Sequence, residues 1–182
     1  MDEKIESLIV TIESRLKKWV SKFVIELNLC PFAKHVVDAE SVRYKVSMAD
    51  TELDLMRDLE SEFNLLEQNN DIATSLLVVP FLLEQFDDYL DFLDSAEQLL
   101  QDSELCGIYQ LASFHPLYQF AGTAPNAPEN FSNRAPFPTI HILRESQVEQ
   151  AVKAYGDTST IPTRNIAILK KMARKQLQQY LS

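Results

Sequence analysis

The run Ala73-Thr74-Ser75-Leu76-Leu77-Val78-Val79-Pro80 decides how the rest of this chain is read. Leu76 to Val79 form a short continuous apolar stretch, bounded by a proline, that suits a strand buried on both faces. A strand of that kind needs helices above and below it, and the flanking sequence supplies them. On the N-terminal side, Thr51-Glu52-Leu53-Asp54 resembles a capping box that opens a helix running to about Gln68. Leu55, Met56, Leu59, Phe63 and Leu66 form its apolar face, and Asn69-Asn70-Asp71 ends it. Further upstream, Val42 to Met48 alternates apolar and polar residues as a strand does. Residues 4 to about 29 place Ile5, Leu8, Ile12, Leu16, Trp19, Phe23 and Leu27 on one helical face, with a stop near Leu29 set by Asn28 and Pro31.

On the C-terminal side, Phe81 to Leu100 predicts a helix with Phe86, Tyr89, Leu90, Leu93 and Leu100 facing inward. Leu105 to Phe114 predicts a third strand, at whose end His115 arrives. Leu117 to Pro138 is a long loop rich in Pro and Asn, with Tyr118, Phe120, Phe131 and Phe137 available to pack it against the body. Thr139 to Leu143 is a short fourth strand with His141 opposite Ile140 and Ile142. Glu145 to Tyr155 is a helix ended by Gly156, and Ile161 to Leu181 is a last helix with Pro162 in its first turn.

The order is therefore α, β, α, β, α, β, loop, β, α, α. It predicts an α/β fold, with α+β as the alternative, in one domain over residues 1–182: a four-stranded mixed sheet covered by helices. Helical crossovers make the first three strands candidates for parallel pairing, while the fourth follows a non-helical loop and is the candidate for an antiparallel partner.

Composition narrows the function classes. The chain has 182 residues and a net charge of −10, which opposes non-specific attraction to nucleic acid. The basic cluster of Lys170, Lys171, Arg174 and Lys175 resembles the solvated face of the last helix. No apolar run reaches the roughly 20 residues needed to span a bilayer, and the N-terminus does not resemble a signal peptide, so no membrane role and a cytoplasmic location are expected. Cys30 and Cys106 are too few for a disulfide framework and lack zinc spacing. The three glycines form neither GxGxxG nor a Walker pattern, so no nucleotide cofactor, and no other cofactor, is expected.

The unusual chemistry lies between Phe114 and Glu145. His115, Arg134, His141 and Arg144 come from two strand ends and the loop joining them, and would converge at one sheet edge if those strands are neighbours. Open α/β sheets bind ligands beyond the strand carboxyl ends. Arginines there supply forked donors for a carboxylate or phosphate, and a histidine can move a proton near neutral pH. Each residue also has a structural reading: His115 as a strand cap, Arg134 as a solvated side chain, His141 as a satisfied histidine, and Arg144 as an ion-pair partner of Glu145. His115, His141 and Glu145 would supply enough donors for a metal, although the arginines would oppose a cation. Pro31 can open a new helical turn, leaving Cys30 close to a helix N-terminus where a thiolate is favoured.

Three segments together resemble the DUF1415 family: Leu27-Asn28-Leu29-Cys30-Pro31-Phe32-Ala33, His115-Pro116-Leu117-Tyr118-Gln119-Phe120-Ala121, and Asn133 through Glu145. The resemblance covers essentially the whole chain. It implies a single-domain cytosolic bacterial protein and carries over no activity, substrate or cofactor. Cys30, His115, Arg134 and His141 are grouped as one candidate site, with Tyr118, Asn133 and Arg144 in support. The resulting expectation is a small enzyme acting on an anionic metabolite, in which Arg134 and Arg144 fix the anion and His115 or His141 moves a proton. Cys30 serves as nucleophile only within hydrogen-bond reach of His115 or His141. The alternative is a non-catalytic module that docks through exposed aromatics of the 117–138 loop. A homo-oligomer is compatible with either.

Overall fold

A computed structural model describes residues 3–182. The run that opened the argument is strand β2, Thr74–Val78, and all five of its residues are buried. It pairs in parallel with β1, Val42–Val46, and antiparallel with β4, Thr139–Arg144. β4 in turn pairs antiparallel with β3, Tyr109–Phe114, giving the order β1-β2-β4-β3. The first three strands thus run the same way, as the helical crossovers require, and β4 is antiparallel as expected. β2 and β3 are not neighbours, because the long loop folds β4 back between them.

Helices cover both faces. Helix α3, Glu52–Gln68, and helix α4, Phe86–Asp102, bring Leu55, Leu59, Phe63, Tyr89, Phe92 and Ala96 onto Leu77, Ile140 and Ile142. The Thr51 cap forms as predicted: its hydroxyl accepts from the Asp54 N–H at 3.1 Å. On the other face, α1, Glu3–Trp19, packs Ile12, Leu16 and Trp19 against Val46, Leu76 and Val78. Burying each such Val or Leu contributes roughly 1.5–3 kcal/mol, so this two-sided core carries most of the favourable free energy of folding.

Several boundaries differ from the sequence expectation. The first helix is not α-helical to Leu29: a π-helical segment, Val20–Ile25, continues α1, and Asn28 at φ 52° ends it. The helix after Pro31 starts later than expected, as α2, Ala33–Asp38, only six residues long. Helix α4 begins five residues after Phe81, because Leu83 adopts φ 59° and holds residues 81–85 as a loop. Helix α5, Glu145–Tyr155, ends at Gly156 with φ 88°, as read. The last helix is broken into α6, Thr160–Leu169, and α7, Arg174–Gln179. Extended backbone at Ala173 makes the break, and its N–H donates to the Gln176 side chain at 2.9 Å. The turn seats Leu177 in the core and brings Tyr180 to 4.8 Å from Phe23. Among the described residues, no helix is long and apolar enough to cross a membrane.

Candidate functional site

The 115–138 loop is built on buried polar side chains. Asn130 is 0% exposed. Its carbonyl oxygen accepts from the Phe120 N–H at 3.1 Å and the Thr123 hydroxyl at 2.8 Å, and its amide donates to the Ala124 carbonyl at 2.9 Å. Asn133 anchors the loop to β3, donating to the Ser113 carbonyl at 3.1 Å while its own carbonyl accepts from the His115 N–H. Phe131 is buried; Tyr118, Phe120 and Phe137 are half-buried, Tyr118 lying 5.0 Å from Phe86 and 4.9 Å from Phe120. These rings pack the loop onto the body, and the exposed aromatic surface that a docking module needs does not form.

His115 is a structural residue. It is 0% exposed and lies between Phe86 and Tyr89, with ring centroids at 5.3 and 5.0 Å. Nδ1 accepts from the Leu117 N–H at 3.0 Å, so Nε2 carries the proton and donates to the Leu83 carbonyl at 2.9 Å. Burial, and secondarily the charge of Arg134, hold its pKa below the usual value against the opposing pull of the Leu83 carbonyl. With both nitrogens committed to backbone, it has none to offer a substrate.

His141 lies on the opposite face of the sheet, beside Phe114, which in turn meets Trp19 edge-on at 5.3 Å. The Thr74 hydroxyl donates its single proton to the Ile142 carbonyl at 2.6 Å, so the 2.7 Å contact with His141 is a bond from Nε2–H to Thr74. Nδ1 is left unprotonated and has no protein partner among the described residues. Burial pushes the pKa of this imidazole down to about 4, which keeps it neutral at pH 7.

Arg144 also belongs to the scaffold. It faces α3, donating to the carbonyls of Leu66, Asn69 and Ile72 and to the Tyr109 hydroxyl. A cation clamped on the last carbonyls of a 17-residue helix suits both the unpaired acceptors and the helix dipole. It forms no ion pair with Glu145. Cys30 is half-buried in the turn after the π-helical segment and makes no hydrogen bond to either histidine, so the condition for a nucleophilic role is not met. The proposed convergence of two histidines, two arginines and a thiol is therefore not formed. The two histidines lie on opposite sides of the sheet, and no group of three or more His, Cys, Asp or Glu among the described residues is placed to hold a metal.

Arg134 is the member that reaches a cleft. Its guanidinium lies over the Phe131 ring at 4.7 Å, with Nε on the Tyr118 carbonyl at 3.0 Å and Nη2 on that of Pro125 at 2.8 Å. Those bonds hold the plane of the guanidinium and leave Nη1 free. The cleft is open, about 420 Å³ in volume, and is also lined by Gln85, Asp87, Gln119, Asn126 and Arg174. It lies beside the carboxyl end of β3, where the first turn of α4 meets the loop. Burial lowers the pKa of Arg134, and the positive charge of Arg174 lowers it further. Among the described residues, neither arginine makes an ion pair.

A second cleft of about 400 Å³, lined by Lys45, Asp50, Asp54, Arg57 and Asp58, mixes both signs of charge and has its central groups tied to one another. Arg57 and Thr51 hold Asp54, and Ser47 holds Asp58. Two arginines lining one cleft, with no ion pair among the described residues, set the Arg134 cleft apart. Sequence reasoning missed Arg174, which it placed on a solvated face, because no glycine or proline marks the break before α7.

Fold and cleft together define a small α/β protein with an open, arginine-lined cleft beside the carboxyl end of β3. Residues 11–179 match the family described as Protein of unknown function (DUF1415), and the chain belongs to that family. Searches of curated proteins and of solved structures return no match.

Proposed function

We propose that this chain binds a small anionic metabolite in the cleft between the loop and α4, with Arg134 as the oriented anchor and Arg174 as the second cation. One observation carries the reading: two guanidinium groups from distant parts of the chain line one cleft, and neither makes an ion pair among the described residues. Bringing two cations together in a folded protein is unfavourable, and a carboxylate or phosphate between them removes that repulsion while accepting charge-assisted hydrogen bonds. The reading is one of binding; His115 and Asn133 hold the loop wall in place. We propose a bacterial cytoplasmic setting for this binding, in keeping with the family resemblance.

A thermal-shift titration with inorganic phosphate and succinate, at constant ionic strength, tests it. A ligand at a hundred times its dissociation constant adds about 2.7 kcal/mol, a rise of roughly 5–10 °C for a chain of this size. Arg174→Ala is the clean variant, because Arg174 makes no hydrogen bond to the protein among the described residues. Loss of the anion-dependent rise in that variant is the expected result. Equal rises in wild type and variant, or no rise beyond a sodium chloride control, would refute the site.

A further inference from the structure

The walls of the cleft carry information about the rest of the ligand. Its cations are opposed by one carboxylate, Asp87, which forms no ion pair among the described residues. Gln119 donates one amide N–H to the Thr123 carbonyl at 2.6 Å and keeps its second N–H and its carbonyl oxygen for a ligand. Gln85 and Asn126 add two exposed carboxamides, each able to donate and accept. Donors therefore cluster at the arginines, while Asp87 is an acceptor that only a hydrogen-bond donor can satisfy and the Gln119 carbonyl offers a second acceptor beside it. A dicarboxylate has no such donor at neutral pH and would set a second negative charge near Asp87. The apolar lining, Phe86, Leu117 and Pro125, is too small a part of the wall to favour a hydrocarbon tail.

The arginines also discriminate between headgroups. Arg134 has Nε–H and one N–H of Nη2 occupied by carbonyls and keeps both N–H groups of Nη1 and the second of Nη2 for a ligand. A tetrahedral phosphate presents three terminal oxygens to donors arriving from different directions, and its charge of nearly two matches two cations.

Resting on the anion-binding reading above, we propose that the ligand is a phosphomonoester of a polyhydroxylated compound, of the sugar phosphate class. Its phosphate sits between Arg134 and Arg174, and its hydroxyls donate to Asp87 and Gln119.

Calorimetric titration with ribose 5-phosphate, inorganic phosphate, succinate and gluconate separates the parts of this statement. Wild type is expected to bind ribose 5-phosphate at least about tenfold more tightly than inorganic phosphate, the gain from one or two hydroxyl bonds to a charged acceptor. Asp87→Ala should shrink that advantage to under about threefold while leaving inorganic phosphate as tight or tighter, since a repelling charge is gone. A merely structural role for Asp87 at the first turn of α4 would weaken both ligands together, and that result overturns the assignment. So does succinate or gluconate binding as tightly as ribose 5-phosphate. Inorganic phosphate bound in an Arg174-dependent way, with no preference for the ester, refutes the sugar phosphate class alone. Absence of binding by all four anions removes the anion site itself.

Discussion

Lowering the pH from 7 to 4.5 should destabilise the protein through His141, and the size of the effect follows from where the ring sits. An unfolded histidine titrates near pH 6.5. In the folded protein burial brings this one down to about 4, because a charged imidazole on the inner face of the sheet, beside Phe114, loses its hydration. A base whose native pKa is depressed gives its full contribution above pH 6.5. That contribution is lost as pH falls towards 4, since the unfolded chain binds a proton that the native one does not. A gap of roughly 2.5 units sets a limit of about 3.4 kcal/mol, of which about 2.5 is lost by pH 4.5. His141→Leu removes the titrating group and leaves the Thr74 hydroxyl donating to the Ile142 carbonyl. Urea unfolding of both proteins at the two pH values then isolates the residue, because His115 and the carboxylates are common to both. Wild type should lose about 2–3 kcal/mol more than the variant on acidification. Equal losses, to within about 0.5 kcal/mol, would mean that His141 titrates as if in water and that its neutral tautomer is wrongly assigned.

Substitutions at Arg144 and at the Arg43–Glu62 pair test the scaffold of the sheet. Arg144→Ala leaves the carbonyls of Leu66, Asn69 and Ile72 without their charged donor and should cost about 2–4 kcal/mol in chemical denaturation, with amide exchange rising first at the end of α3. A loss under about 1 kcal/mol would show the clamp to be dispensable. Glu62 is 2% exposed and receives Arg43 at 2.8 Å and the Ser75 hydroxyl at 2.5 Å. Arg43→Met should therefore cost about 3 kcal/mol by leaving a buried carboxylate unpaired. Arg43→Met combined with Glu62→Gln keeps an acceptor for Ser75 without the charge and should recover at least half; no recovery would place the cost in lost packing instead.

Much of the fold was legible because it depends on local pattern. The uninterrupted apolar run in β2 could only be covered on both sides, the Thr51 cap and Gly156 set helix ends through their own backbone chemistry, and the non-helical link before β4 allowed it to turn back. The misplaced boundaries share a different cause. Nothing local stops the last helix near Lys170; packing of Leu177 and Tyr180 against the first helical segment breaks it. Leu83 is held in a left-handed conformation by the loop it lies under, although its side chain favours no such state.

The site divides in the same way. Sequence alone determined which residue types were unusual and that Arg134 belonged with the strand ends, because strand direction follows from the crossovers. It did not determine which side of the sheet each residue would face, or which polar groups the backbone would claim. The tertiary structure sent His115 to the α4 face and His141 to the α1 face, tied Arg144 to the end of α3, and turned Arg174 towards Arg134. Those outcomes depend on contacts between residues far apart in the chain, where a hydrogen bond to a distant carbonyl or the filling of a core position outweighs anything the neighbouring sequence encodes.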